Sequence, residues 1–144
     1  MRLAVLLAVL VAVAFVAVWW RRRDGRLRTI ADRFTPSQLS SLGVPPEAAA
    51  LVEFTSPHCA PCTAARRVLD EVATRLDVAV VPVDVTRALD LARAHHVLRT
   101  PTTFVIVPGG RVLGRVSGIP LAADLTRLLG DPAAHVVEPG STGS

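Results

Sequence analysis

An uninterrupted apolar run over residues 3–20 constrains the fold of this chain more than any other feature of its sequence. The run reads LAVLLAVLVAVAFVAVWW and contains no charged side chain. As a helix rising ~1.5 Å per residue it would extend about 27 Å, close to the hydrocarbon thickness of a bilayer. Such a helix would be unstable if exposed to water on every side. The apolar run is therefore expected to be a segment apart from the rest of the chain, which has about the length of one domain.

We expect residues 1–20 to be an uncleaved transmembrane anchor, followed by a basic juxtamembrane linker over residues 21–46. Trp19 and Trp20 end the apolar run, where aromatic rings favour the headgroup level of a bilayer, and arginines follow directly. A cleaved signal peptide is the alternative. Its apolar core normally spans about 7–15 residues before a small-residue cleavage site, whereas this run is longer and shows no such site.

The arginines around the run predict the side of the membrane on which the remainder lies. Arg2 alone precedes the run, whereas five arginines follow it within eight residues, at positions 21, 22, 23, 26 and 28. The flank richer in Lys and Arg tends to stay cytoplasmic. We therefore expect the domain on the cytoplasmic face, with the outward face as the alternative.

The basic charge of the chain belongs to its N-terminal segment. The formal net charge is +4, and residues 1–34 carry seven arginines against two aspartates. The rest carries nine arginines against ten acidic side chains. A nucleic-acid partner would need basic charge concentrated on the folded domain, so no nucleic-acid binding is expected.

From residue 47 onward the hydrophobic pattern alternates between strand and helix. Short β-branched or apolar runs predict strands, and 3- to 4-residue spacing predicts amphipathic helices. Pro82 inside a strand indicates an edge or bulge position. The predicted class is α/β, with a mixed central sheet flanked by helices over 47–130 and a disordered Pro-, Gly- and Ser-rich tail over 131–144. The predicted strands are 49–54, 78–85, 102–107 and 111–117, with a hairpin turn at 108–110, and the predicted helices are 63–76, 87–96 and 121–129.

The two cysteines, Cys59 and Cys62, lie two residues apart where a strand passes into a helix. A Cys-x-x-Cys pair beside a strand–helix–strand pattern is typical of a redox site. The first thiol lies at a helix N-terminus, where unpaired amides and the helix dipole stabilise a thiolate. Pro61 suits the first helical turn because its missing N–H costs nothing there. We expect Cys59 to be the nucleophile and Cys62 the resolving thiol.

Other uses of the pair stay open. A structural zinc site needs four ligands, and the four histidines of the chain match no ligand spacing, so no metal is predicted. A purely structural disulfide would restrain little of the unfolded chain because its loop is so small. Two inert thiols in a tethered domain are the remaining alternative.

The sequence at this point resembles the thioredoxin family, over roughly Ala48 to Gly130. The resemblance rests on LVEFTSPHCAPC before a helix, on VPVDV, on Arg99-Thr100-Pro101-Thr102 before a strand, and on Gly118 before the final helix. It implies a thioredoxin-like fold. It also implies that Pro101 is a cis-proline packed against the cysteines and that the Thr100 backbone pairs with an extended substrate. A trans proline beginning a strand is the alternative for Pro101.

The resemblance also assigns a role to Glu53, six residues before Cys59. Thioredoxins typically carry a buried Asp there, which moves protons for the resolving thiol. A lone carboxylate is costly to bury, so Glu53 is expected to titrate high or to be hydrated, and it would act as general base for Cys62. The alternative is that Glu53 points to solvent.

The chain departs from the family pattern around the cysteines. His58 stands where a Trp is usual, Ala60 where a Gly is usual, and Thr55 replaces a second Trp. We place His58 and Pro61 at the substrate-binding surface. His58 either stabilises a thiolate or is an ordinary surface histidine. His95 and His96 end a predicted helix, and we interpret both as structural.

The resulting functional prediction is a membrane-tethered thiol–disulfide oxidoreductase that reduces protein disulfides through its Cys-Ala-Pro-Cys dithiol. Pro61 before the second cysteine resembles reducing members of the family. The redox-active Cys59–Cys62 disulfide needs no further cofactor, and a thiol reductant would regenerate the dithiol. The alternatives are an outward-facing thioredoxin-like protein for cytochrome maturation and a non-catalytic module that binds a metal or a partner.

Overall fold

The computed structural model of this chain describes residues 1–130, with backbone only for residues 20–23. The tail predicted over 131–144 lies outside the described residues. The helices are α1 (Arg2–Arg23), α2 (Pro36–Ser41), α3 (Ala60–Leu76), α4 (Leu89–Ala94) and α5 (Ala122–Gly130). The strands are β1 (Leu27–Arg28), β2 (Ala50–Thr55), β3 (Ala79–Asp84), β4 (Thr102–Val107) and β5 (Arg111–Ser117).

The five strands form one mixed sheet in the order β1-β5-β4-β2-β3. β2 and β3 run parallel, joined by α3, and every other neighbouring pair is antiparallel. Pro82 is exposed on β3, an edge strand, where its missing N–H costs no ladder hydrogen bond. The predicted fold class, a mixed central sheet flanked by helices, is confirmed. A single long apolar helix precedes it.

Each face of the sheet carries its own hydrophobic core. β4 is buried along its whole length and β2 is buried up to Phe54, because side chains on both faces of these strands are covered. α3 and α5 cover one face, with Leu51, Leu69, Val72, Val105 and Leu125 among the buried residues. The other face is covered by α2, α4 and the segment that leads from β1 to α2. Its buried residues include Phe34, Leu39, Phe54, Ala92 and Phe104.

The segment 24–46, expected as a linker, is part of the folded unit. The Gly25 amide donates to the Ser117 carbonyl oxygen at 2.8 Å, and the short strand β1 pairs with β5. Phe34 is fully buried, with its ring stacked on that of His95 at a centroid distance of 3.8 Å. The folded unit therefore begins near Asp24, because these contacts bury side chains that a solvated linker would expose.

His95 is a structural residue of this unit. Its Nδ1 lies 2.8 Å from Oδ2 of Asp32, and the side chain is buried. α4 ends at Ala94, so it is shorter than the predicted helix over 87–96. The exposed His96 adopts a positive φ of 49°, which takes the chain out of the helical conformation.

Candidate active site

The two cysteines lie at the junction between β2 and α3. β2 ends at Thr55, and the Cys59 amide donates to the Ser56 carbonyl oxygen at 3.2 Å, which turns the chain into the helix. Cys59 is the N-cap residue of α3 and has an extended backbone conformation. Pro61 lies in the first helical turn, where the missing N–H leaves no hydrogen bond unmade.

Cys59 and Cys62 are joined by a disulfide, with their Cα atoms 5.4 Å apart. The two residues differ in exposure: Cys59 is half-buried, whereas Cys62 is only 7% exposed. Both line a cleft of about 360 Å³ beside the start of α3. After reduction, a molecule that approaches the cleft from solvent would therefore meet Cys59 first, because Cys62 is the more buried of the two residues.

Glu53 lies on β2 and lines the same cleft as the cysteines. Its side chain is 1% exposed, so it does not point to solvent. One carboxylate oxygen, Oε2, lies 3.2 Å from Nε of Arg66, and the other, Oε1, has no hydrogen-bond partner among the described residues. Burial raises the pKa of this carboxyl; the Arg66 guanidinium opposes the rise, and the Asp70 carboxylate adds to it.

Arg66 is a residue of this site that the sequence analysis did not single out. It lies on α3 four residues after Cys62, so both side chains fall on one face of the helix. Its guanidinium forms an ion pair with the Glu53 carboxylate. The Arg66 side chain is 30% exposed and lines the cleft. In the sequence, Arg66 falls at the edge of the apolar face of the predicted helix, four residues after Cys62.

The loop before β4 meets the cysteine loop through two hydroxyl groups. The Thr100–Pro101 peptide bond is cis, as the resemblance implies, and Pro101 is buried. The Thr100 hydroxyl lies 3.3 Å from that of Ser56, three residues before Cys59. The Pro101 carbonyl oxygen accepts a hydrogen bond from the Gly118 amide at 2.8 Å. Residues far apart in sequence are thus brought to one end of the sheet.

His58 and Pro61 are both exposed next to the cysteines. The exposed surface around Cys59 therefore includes an imidazole and a proline ring. His58 directly precedes Cys59 in the sequence, and its exposure places it at the protein surface.

Comparisons with known proteins agree with this geometry. The sequence matches the family profile described as Thioredoxin over residues 37–130. A mutant thioredoxin from Halobacterium salinarum NRC-1 superposes with a TM-score of 0.57 at 25% identity, covering 72% of this chain and 88% of that chain.

Two further solved structures show the same relation. Chloroplastic thioredoxin z gives a TM-score of 0.55 at 28% identity, covering 69% of this chain and 91% of that chain. The reduced Schistosoma mansoni thioredoxin pre-protein gives 0.55 at 25% identity, covering 67% and 90%. No curated protein matches the sequence.

Proposed function

Because the chain belongs to the thioredoxin family and is a thiol–disulfide oxidoreductase, we propose that it reduces protein disulfides while tethered to a membrane by α1. The observation that carries the direction of attack is the asymmetry of the cysteine pair. Cys59 is half-buried at the start of α3, and Cys62 is buried behind it. The helix N-terminus favours the anionic form of the first sulfur, which is the nucleophilic form.

Reduction of a substrate takes two displacements. The Cys59 thiolate attacks one sulfur of the substrate disulfide, so a mixed disulfide forms and the other substrate sulfur leaves as a thiolate. The Cys62 sulfur then attacks Cys59, which releases the second substrate thiol and closes the Cys59–Cys62 disulfide. Two electrons pass from the dithiol to the substrate. A thiol reductant restores the dithiol, and no other cofactor is needed.

The second displacement requires that Cys62 lose its proton, and we assign that proton to Glu53. The carboxyl lies in the cleft that Cys62 lines, and its Oε1 has no partner among the described residues. Burial raises the pKa of Glu53 toward the range in which a carboxylate is an effective base. Arg66 holds the other oxygen and so leaves Oε1 to accept the proton.

We assign substrate binding to the loop that carries Thr100 and Pro101, with His58 and Pro61 at the surface. An extended peptide would pair with the Thr100 backbone by strand addition, as the family resemblance implies. The hydroxyl contact between Thr100 and Ser56 supports this assignment, because it holds that loop against the loop leading to Cys59.

The proposed tether rests on α1. Residues Arg2–Trp19 have a mean hydropathy of 2.6, and none of that stretch is buried against the rest of the described structure. A signal sequence near an N-terminus has the same properties, but its apolar core normally spans about 7–15 residues, which is shorter than the apolar run over residues 3–20. The arginines that follow the run support the cytoplasmic face, with the outward face as the alternative.

The proposed function is tested with two cysteine variants of the full chain in detergent micelles. Cys59→Ser should abolish reduction of insulin disulfides by dithiothreitol above the uncatalysed rate. Cys62→Ser should accumulate a covalent adduct with the substrate that dithiothreitol dissociates. Full activity in Cys59→Ser protein would contradict the proposal, and so would the absence of an adduct with Cys62→Ser.

A further inference from the structure

The sheet register places the end of α1 and the catalytic disulfide at the same end of the domain. Leu27 of β1 pairs with Val116 of β5. Val116 pairs with Thr103 of β4, and Thr103 pairs with Glu53 of β2. Leu27 and Glu53 therefore lie in one row across the sheet. The chain enters β1 from the end at which β2 leaves toward Cys59.

The lateral separation follows from the strand order. β1 and β2 are three strand intervals apart, which at ~4.8 Å per interval is about 14 Å. Three residues lie between Arg23 at the end of α1 and Leu27, so the four Cα-to-Cα steps reach at most about 14 Å when extended. The short connection thus keeps the catalytic end of the sheet near the end of α1, whatever the tilt of that helix.

This connection is bound to the domain rather than free. The Gly25 amide donates to the Ser117 carbonyl oxygen at 2.8 Å, and Arg99 donates to Oδ1 of Asp24 at 2.7 Å. Arg99 directly precedes Thr100, and the Gly118 amide donates to the Pro101 carbonyl oxygen. The segment leaving α1 is therefore linked by hydrogen bonds to the loops that carry the proposed substrate-binding residues.

The surface at this end combines exposed apolar side chains with arginines. Leu98 is 91% exposed and Ile119 is 43% exposed, each in a loop at the catalytic end of the sheet. Leu98 also lines a cleft of about 460 Å³ with Arg26, Arg28 and Arg99. Apolar side chains with surrounding arginines suit the boundary of a bilayer, and anionic headgroups complement the arginine charge.

We propose that the catalytic end of the domain lies against the bilayer surface, and that the substrates are disulfides held close to that surface in other membrane proteins. This inference rests on the proposed function, because it requires both α1 in the membrane and disulfide reduction at Cys59. The occupant of the surface formed by Leu98, Ile119 and the arginine cleft is an anionic lipid headgroup layer. A disulfide far above the membrane would lie out of reach of Cys59.

The test measures how the rate depends on the height of a disulfide above the membrane. The pre-reduced full chain, freed of reductant, is reconstituted into vesicles of phosphatidylcholine with phosphatidylglycerol. The substrate is a lipid-anchored peptide joined by a disulfide to a second peptide, with a fluorophore and a quencher on the two halves. One version places the disulfide directly after the anchor, and the other inserts ten prolines, which raise it by about 31 Å.

The proposal predicts that the low disulfide is reduced on the order of 10-fold faster than the raised one in a single turnover. A matched control variant carries twelve Gly and Ser residues inserted between Arg23 and Asp24. Because the insertion frees the domain from the end of α1, it should reduce the low and raised disulfides at similar rates. Arg26→Glu together with Arg28→Glu should decrease the preference for the low disulfide at low ionic strength.

The outcomes separate this inference from the function it rests on. Equal rates on the two anchored peptides, together with normal reduction of the same peptide in solution, would overturn the inference and leave the reductase standing. An unchanged preference in the Gly–Ser variant would overturn the role of the short connection, and an unchanged preference after Arg26→Glu with Arg28→Glu would overturn the headgroup contact. Failure to reduce even the soluble peptide would overturn the proposed function itself.

Discussion

Replacing Glu53 by Gln removes the proposed proton acceptor while conserving the shape of the side chain. Oε2 is held by Arg66 at 3.2 Å, so only Oε1 is left to take the proton of Cys62. A positioned general base contributes roughly 10²- to 10⁴-fold. Because Glu53 faces a cleft rather than contacting the disulfide directly, we expect the low end, a decrease of about 100-fold in the release step. That factor corresponds to about 2.7 kcal/mol of barrier.

The assay separates the two displacements in a single turnover with a fluorescence-quenched disulfide peptide. Glu53→Gln should leave the attack by Cys59 unchanged and accumulate the mixed disulfide, because only its resolution by Cys62 slows. Glu71→Gln is the matched control, since the same change on the exposed side of α3 lies outside the cleft. An unchanged release rate in Glu53→Gln would refute the assignment.

The pH dependence gives a second readout of the same substitution. Since Glu53 accepts a proton only when ionised, release in the wild type should accelerate as pH rises through the raised pKa of Glu53. That inflection should be missing in Glu53→Gln. Arg66→Met should shift it to higher pH because an opposing positive charge is lost, and Asp70→Asn should shift it to lower pH. A shift in the wrong direction would contradict the electrostatic account.

The raised pKa also fixes the sign of a stability effect. Between the ordinary pKa of a glutamate and the raised pKa of Glu53, the folded state binds more protons than the unfolded state. The free energy of unfolding therefore falls as pH rises through that window. The Glu53→Gln variant has no carboxyl group to ionise at this position, so its free energy of unfolding does not fall through that window. It should be more stable than the wild type above the window and equally stable in acid. Urea unfolding of both proteins at one pH below the window and at one pH above it measures this difference.

Two further predictions concern the segment that precedes α2. Phe34→Ala should destabilise the domain by about 3–5 kcal/mol, because it empties a fully buried site. Phe15→Ala should have no effect on the stability of the domain, because Phe15 lies on α1 and is 71% exposed. Urea unfolding followed by circular dichroism tests this, because both tryptophans lie outside the domain and their fluorescence would not report its unfolding. A decrease of less than about 1 kcal/mol in the free energy of unfolding for Phe34→Ala would show that the segment is not packed. Gly25→Ala should cost at least about 1 kcal/mol more than Gly43→Ala. Both glycines have positive φ, but an added Cβ collides with a backbone carbonyl only at Gly25; equal losses would contradict the docked connection.

The parts of the fold that sequence patterns predicted are those encoded locally. The β2–α3–β3 unit follows from hydrophobic periodicity, and the placement of Pro82 on an edge strand follows from its missing N–H. The site residues Cys59 and Cys62 are given by their spacing at a strand–helix junction. Apart from the edge position of Pro82, which the missing N–H favours, each of these features depends on neighbours within a few residues.

The features that sequence analysis missed depend on distant partners. β1 has only two residues, too few for a periodicity, and exists because β5 pairs with it. Phe34 is one apolar residue in a polar stretch of the sequence, and it belongs to the core because it packs against the distant residues His95 and Phe104. Arg66 enters the site because its long side chain reaches back to Glu53 across the helix–sheet contact.

α3 holds Cys59 as the reactive thiolate, with Cys62 buried behind it, and alkylation of the reduced full chain measures this difference in reactivity. The protein is treated with substoichiometric iodoacetamide at neutral pH, and mass spectrometry of its peptides gives the rate at each cysteine. We expect Cys59 to be modified on the order of 10-fold or more faster than Cys62. Preferential modification of Cys62, or equal rates at the two cysteines, would contradict it.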